Sequence, residues 1–550
     1  MKKVTIRWSI CIIISLWLGA SLTLFAQERI IEPTEGFIDD IILADTANGA
    51  QAHNVYVFRR GETYYWDGTI NNKGYALTLK AEDGKGALPL IVAYPSSSGE
   101  LQRFLTAGND VYLYNLFIDG MGPDLTTGEP DPYLAMSGQL LNAGAAGKEL
   151  VVDGCILLSA AQTLIRSSSG ARKLQFTNTI IANGGQLSSM GLGNGRVIDY
   201  RSGITDTTIF RNCTLINTYD RLFRHYGGAA NATTTYLTYF ELDHNTIIHN
   251  LGTFGFIFLG DIVGGVKITN NLFINPLALG ADRNDSYRYT ELNAIGEYNT
   301  GDSLAIMPLI INQPNSNYSP TYTISNNVVS YDNTVDNYMT KYGIEKATFL
   351  EPRIASLVSN ANPFVEVDDI TLNKIPNVMI EVMNWYQKCV DSLGTGYSLI
   401  TTNEVDMDRR SRAFWADSVD CSYSTTDATF EGSDGLPVGS NAWDSKVVVG
   451  VEEETTLPTN FALANNYPNP FNPSTTISFT VPEKASVSMK VYNMIGQEVV
   501  SLTNQEYAAG THTINFNAAG LSSGVYICRM NAVSASGKNF MASQKMTLLK

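Results

Sequence analysis

No two cysteines in this chain stand close enough in sequence to hold a metal ion together. They fall at positions 11, 155, 213, 389, 421 and 528, with no C-x-x-C or similar ligand spacing. No pair therefore has the spacing of a metal-ligand motif. Charge is also sparse: charged residues are 16% of the 550, and histidine occurs five times. The formal net charge is −16, so the chain lacks the basic footprint that nucleic acid requires. After Phe25 no apolar run approaches the roughly 18 residues of a membrane span. Glycine, asparagine, threonine, serine and tyrosine are plentiful instead, a composition that suits β-rich extracellular proteins. The length allows two to four domains and a sizeable core.

The N-terminus carries the one long apolar run. Lys2, Lys3 and Arg7 precede Ile10 to Phe25, and small Ala26 follows. This is the pattern of a secretory signal peptide over residues 1–26, with an uncleaved anchor as the rival reading. Removing it leaves 34 basic against 53 acidic residues, a balance of −19. An acidic polysaccharide would be repelled overall and would need a local basic patch. Five cysteines would remain, so at least one is a free thiol. Cys389 and Cys421 are available to pair, but nothing in the sequence demands it.

One short phrase returns seven times: LYNLFID from Leu113, VDGCILL from Val152, FTNTIIA from Phe176, FRNCTLI from Phe210, LDHNTII from Leu242, ITNNLFI from Ile268 and ISNNVVS from Ile324. The spacings are 39, 24, 34, 32, 26 and 56 residues. Unequal spacing excludes a propeller of equal blades and suits a solenoid with loops inserted at its turns. The third position is Asn115, Asn178, Asn212, Asn270 or Asn326 in five copies and His244 in another. Asparagine tolerates left-handed backbone, so a bend between strands is expected there. Stacked about 4.8 Å apart, these side chains are expected to bond up the column as an interior ladder. His244 then reads as a corner residue and not as a metal ligand. Cys155 and Cys213 share the fourth position two copies apart, about 9.6 Å on the strand spacing, too far for a disulfide.

A second apolar strand follows each central phrase: TLIRSSSG, RVIDYRSG, RLFRHYGG and GFIFLGDI. Together these residues resemble secreted right-handed, single-stranded parallel β-helix proteins of the pectate-lyase superfamily, over roughly residues 50–335. NVYVFRRGETYYWDGTI resembles the first coils of such a helix. GSDGLPVGSNAW, 432–443, resembles the phrase that closes related bacterial domains. The expected fold is all-β: a β-helix over 27–334, a closing region over 335–450 with helical segments near 345–393, a linker at 451–460, and a small Ig-like β-sandwich over 461–550. Helix-like apolar spacing in EKATFLEPRIASLVS and IPNVMIEVMNWYQKCVDSL places the helices, which are expected to cap or flank the open end of the solenoid. NEVDMDRRSR reads as a solvated loop. In the tail, NYPNPFNPSTTISF, VYNMIGQEV, LSSGVYICRM and the final KMTLLK resemble the C-terminal sorting domain (type A) of the type IX secretion system of Bacteroidetes-related bacteria. That resemblance implies passage through the periplasm, contact with the export machinery, and a secreted or outer-membrane surface location with no transmembrane anchor in the mature chain.

Aligned by their apolar residues, the second strands put Arg166, Asp199 and Arg224 in one column. Ser168, Arg201 and Tyr226 fall two places along. Residues two apart on a strand share a face, so both columns are expected on one exterior surface, with His225 on the opposite side. Arginine grips carboxylates with a two-pronged fork, and tyrosine offers a face for a sugar ring. Arg166, Asp199, Arg201 and Tyr226 are therefore the candidate carbohydrate-binding residues. The rival reading is a self-neutralising surface ladder contributing about 1 kcal/mol or less. RLFRHYGG also resembles the RHG strand of the chondroitinase-B and alginate-lyase branch. The resemblance implies an arginine and a lysine acting on a uronic acid, with calcium as a cofactor; Arg224 takes the arginine's place as the candidate catalytic residue. Here Tyr226 separates His225 from Gly227, LIRSSSG has no lysine, and no acidic trio for calcium is evident. The residues themselves name no cofactor. Two functions stand open: binding or lyase-like processing of polysaccharide, and a non-catalytic structural or adhesive role.

Overall fold

A computed structural model of the chain describes residues 28–47, 50–122, 136–185, 194–225, 236–282, 285, 288, 308–312, 318–360, 362–368, 370–393, 419–447, 460–464, 466, 468–534 and 536–549. The signal peptide, the run at 403–412, Tyr226 and the linker except Asn460 lie outside these residues. The chain divides into two compact units, residues 1–449 and 450–550.

The first unit winds through three parallel sheets of ten, ten and nine strands. One coil, for example, runs through Glu149–Asp153, Ile156–Ala160 and Thr163–Ser167. Each of these strands pairs with its counterpart in the next coil, Ala171–Thr177, Ile180–Gly184 and Arg196–Tyr200. This is the expected parallel β-helix. The first residue of every phrase lies in one register column: Leu113, Val152, Phe176, Phe210, Leu242, Ile268 and Ile324 are successive partners. All seven are buried. Phe176 and Phe210 stack with ring centroids 4.7 Å apart, so identical slots fill with matching shapes and exclude water.

The third position of all seven phrases turns the corner between the first and second sheets. Asn115, Asn178, Asn212, His244, Asn270, Asn326 and Gly154 have φ between 49° and 65°. The bend is as the sequence implied, but the interior ladder is one residue further on. Asn115 and Asn178 are exposed, although the Asn212 side chain does donate to that of Asn178 at 2.5 Å. The buried ladder is the fourth position. Asn245 Nδ2 donates to Asn271 Oδ1 at 2.9 Å, and Asn271 Nδ2 to Asn327 Oδ1 at 2.9 Å. Cys155, Thr179 and Cys213 hold the same slot in earlier coils. A left-handed residue points its own side chain outward, which leaves the next residue to face in. A second left-handed column, Ser159, Asn183, Asn217, His249 and Asn275, escaped the sequence reading.

The ends are covered by helices. Ile38–Ala44 places Ile38 and Ile42 against the first coils. At the other end, Asn333–Tyr342, Pro352–Leu357 and Ile380–Leu393 extend the same core with Met339, Ile354, Met383 and Tyr386. The first of these was not anticipated; Asp332 caps it through Thr334 and Val335 N–H, and Gly343 ends it at φ 66°. The stretch 345–359 is part strand, Thr348–Leu350, and part helix. Residues 419–447 do more than close an end. Cys421, Tyr423, Phe430 and Val438 form an apolar layer against Ile216, Ile248 and Leu272 on the outer side of the second sheet. Within it, the closing phrase clasps the corner column: Asn270 Oδ1 accepts from Ser433 N–H, Asn212 Oδ1 from Ala442 N–H, and Trp443 Nε1 donates to Thr214. Cys389 and Cys421 sit in different apolar clusters, and all five described cysteines are free and buried, so no pairing forms.

The second unit holds seven strands in a three-stranded and a four-stranded antiparallel sheet. Alternating Ile477, Phe479 and Val481 meet Val487, Met489, Cys528 and Met530 between them, the packing of a β-sandwich.

Asn271→Ala should lower the stability of the β-helix by about 1–3 kcal/mol, because Asn245 and Asn327 each lose a buried partner. All six tryptophans precede residue 450. Urea unfolding followed by tryptophan fluorescence therefore reads this unit alone, and an unchanged midpoint would show that the ladder contributes nothing.

Candidate arginine cluster and the sorting tail

The third sheet carries the predicted column. Arg166 pairs in register with Asp199, Asp199 with Arg224, and Arg224 with Phe258. Strand alternation turns Ile165, Ile198 and Phe223 into the core, so their neighbours in the column face outward. The exterior placement holds, but exposure does not: Asp199 is fully buried and Arg224 nearly so.

Asp199 is the hub. Arg201 Nε donates to its Oδ2 at 2.6 Å. Arg166 approaches at 3.6 Å, Arg224 at 3.5 Å and Arg196 at 4.0 Å. A second buried carboxylate, Asp220, meets Arg196 Nε at 2.8 Å and Arg221 at 3.1 Å. The Arg221 guanidinium lies 5.4 Å and 5.7 Å from the ring centroids of Phe254 and Phe258, positions that favour cation–π attraction. Five arginines thus surround two aspartates. Burial pulls the Arg196 guanidinium down to about 10, which leaves it charged at neutral pH, and burial likewise lowers Arg166. Arg201 is the open side of the cluster, with 42% of its side chain exposed. Arg166 is half-buried, and its Nε has no hydrogen-bond partner among the described residues.

Ser168 does not join the cluster; its hydroxyl donates to Asn142 Oδ1 at 2.6 Å. Sequence reasoning missed Arg196, Asp220 and Arg221. Asp220 and Arg221 stand at a bend before the strand, where alternation gives no face.

His225 faces inward, as alternation required. Its ring lies 5.8 Å from that of Tyr200, and Gly260 leaves room for it: a Cβ there would come within 1.8 Å of Nδ1. Neither ring nitrogen finds a hydrogen-bond partner among the described residues. Burial pushes its pKa down to about 4.

The cluster suits an anion and not a base. Arginine cannot accept a proton at neutral pH. Among the described residues beside Asp199 no lysine stands in the column, and the imidazole lies on the inner side. Calcium does not fit either: Asp199 and Asp220 are already compensated by guanidiniums. Among the described residues no group of three or more His, Cys, Asp or Glu is placed to hold a metal ion.

The tail is decided by comparison. Residues 465–541 match the family described as the secretion system C-terminal sorting domain. The tail is a type IX secretion sorting domain. The protein is therefore exported by the type IX system and is secreted or held at the outer-membrane surface. No described helix is long and apolar enough to cross a membrane. No curated protein matches the chain. Among solved structures, the crystal structure of CopC from Methylosinus trichosporium OB3b is similar at 17% identity, covering 16% of this chain and 93% of that one, with a TM-score of 0.13; at that score the likeness carries no argument.

Asp199→Ala should destabilise the β-helix by about 3–5 kcal/mol, since it takes a fully buried carboxylate away from the guanidiniums packed on it, Arg166 and Arg201 among them. Arg201→Ala, which removes an exposed partner, should cost about 1 kcal/mol or less. Equal losses in urea unfolding would deny that Asp199 is the hub.

A second expectation concerns acid. His249 is also buried, accepting from Asn275 at Nδ1 and facing the Pro376 carbonyl at Nε2, and burial pushes it down to about 4. Unfolded, both rings protonate near pH 6.5. The unfolded chain therefore binds more protons between pH 6.5 and 4, and stability falls as pH drops through that window. Each ring should account for about 2 kcal/mol between pH 7 and pH 5. Asp243, held low despite burial by bonds from His244, Thr269 and Lys267, loses its contribution only below about pH 4. In tryptophan-monitored unfolding, His249→Gln should show a shallower decline than the parent; an identical slope would remove His249 as a cause.

Proposed function

We propose that this exported β-helix binds an anionic polysaccharide at the arginine cluster of its third sheet. The observation that carries the reading is a pair of guanidiniums on the accessible side of Asp199: Arg201, 42% exposed, and Arg166, whose Nε has no hydrogen-bond partner among the described residues. They stand, among the described residues, with Arg196, Arg221 and Arg224 around Asp199 and Asp220, in a chain whose net charge is −16. Such a patch supplies what the overall charge denies to an acidic glycan. Arg201 and Arg166 lie at the accessible side, and each guanidinium has the fork that matches a carboxylate or sulfate. The relation to pectate-lyase-like β-helices belongs to this proposal and supports a glycan as the ligand class. Binding, and not elimination, is the activity proposed, because the column offers no proton acceptor.

A structural or adhesive role is the second reading. The observation in its favour is that Asp199 already faces four guanidiniums, which lets the cluster neutralise part of its own charge as a strut between coils.

Calorimetric titration of the mature protein with uronate-containing glycans separates the two. The parent should bind at low salt and weaken as salt rises. Arg201→Ala should weaken binding roughly ten- to hundredfold, the range of a lost charge-assisted hydrogen bond, and Arg201→Lys should fall between, keeping charge without the fork. Ultraviolet absorbance should reveal no unsaturated product. No binding by the parent across the panel would leave the structural role.

A further inference from the structure

The sorting tail must be read by the export machinery from its surface, since its interior is an ordinary sandwich core. Most of that surface is polar. Exposed apolar residues stand at both ends of the four-stranded sheet, and the hairpin between Ala485–Asn493 and Glu498–Tyr507 carries the most exposed pair. At its tip Met494 is 69% exposed and Ile495 87% exposed, the greatest exposure of any large apolar residue described. Neither joins the apolar core of the tail.

This tip is firmly built. Asn493 Oδ1 accepts from the N–H of Ile495 at 3.2 Å and of Gln497 at 2.9 Å. Asn493 Nδ2 donates to the Gln497 side chain at 3.2 Å. The Asn493 and Gly496 amides close the turn on the Gln497 and Asn493 carbonyls at 3.0 Å each, and Gly496 takes φ 82°. Lys490 and Glu498 pair at 2.9 Å beside the turn and cancel in charge. The exposed Leu549 lies at the same end of the sheet, because Asn493 pairs with Tyr526 and Gly524 with Leu548. The other exposed apolar residues, Val533 and Met541, flank the turn at the opposite end. A monomer gains nothing from holding two large apolar side chains in water on a rigid turn; a partner does.

We propose that the Met494–Ile495 tip is a recognition point of the sorting domain, seated in an apolar pocket of a protein component of the type IX export machinery. The match to a secretion sorting domain spans the tip, and the two exposed apolar side chains at its apex make the fit one of shape and apolar burial. Burying two such side chains is enough to change partner affinity by at least tenfold.

The test expresses the full chain in a bacterium with type IX machinery and measures protease-accessible protein at the surface against protein retained in the periplasm. A chain lacking residues 461–550 gives the level without export. Met494→Lys with Ile495→Lys should lower surface protein at least tenfold and leave the tailed chain in the periplasm. Met494→Leu with Ile495→Val should restore it, and Val533→Lys with Met541→Lys should export normally. Parental surface levels for the lysine tip, or an equal loss from the opposite end, would overturn the proposal. Thermal unfolding of each purified chain checks the fold; should the lysine tip fail to fold, Met494→Gln with Ile495→Thr decides by the same outcomes. Glycan binding is read separately and does not enter this result.

Discussion

Each of the seven coils from Leu113 to Ile324 passes one residue through left-handed backbone at the same corner. The remainder of the fold follows from that constraint. An L-residue with a Cβ resists this conformation, and asparagine and glycine resist it least. Placing them at one position of every phrase fixes where the first sheet ends and the second begins, and so fixes the register of every coil on the next. The apolar column from Leu113 to Ile324 stacks because the corner beside it does not slip. The asparagine ladder at 245, 271 and 327 has the same origin: the residue after the corner faces inward, and its amide satisfies the backbone of neighbouring coils where a buried chain turn would otherwise leave polar groups unpaired.

A fixed register also decides how charge is arranged. Side chains from coils tens of residues apart in sequence are held one strand spacing apart. Arg166, Asp199 and Arg224 become a stack and not three separate surface charges. Loss of exposure changes what the stack is. An exposed ladder would be worth little; a buried carboxylate among guanidiniums ties the coils together, with Arg201 at its open side. The two readings of the cluster, strut and binding surface, describe the same charges seen from the inside and from the solvent.

The two units divide the work. The β-helix carries the arginine cluster around Asp199, and the tail carries the address. Each is built with its own apolar core. In the tail, the apolar side chains that matter for packing alternate inward along the strands, which leaves Met494 and Ile495 distinct as residues that the sandwich does not use.

The sequence by itself determined the periodic parts. The seven phrases, the bend at their third residue, the register column and the seven-stranded tail follow from local pattern, since strand alternation and left-handed tolerance are properties of neighbouring residues. The column Arg166, Asp199, Arg224 was legible for the same reason. Only the tertiary structure decided what lies far apart in sequence. The clasp of residues 432–443 on Asn212 and Asn270 joins segments more than 160 residues apart, and no local pattern encodes it. The ladder moved by one residue, because the direction of a side chain at a left-handed corner depends on backbone geometry and not on residue type. Asp199 proved buried and Arg196, Asp220 and Arg221 entered its cluster, because burial is set by everything packed around a residue, whereas alternation gives only the side of the strand on which it stands.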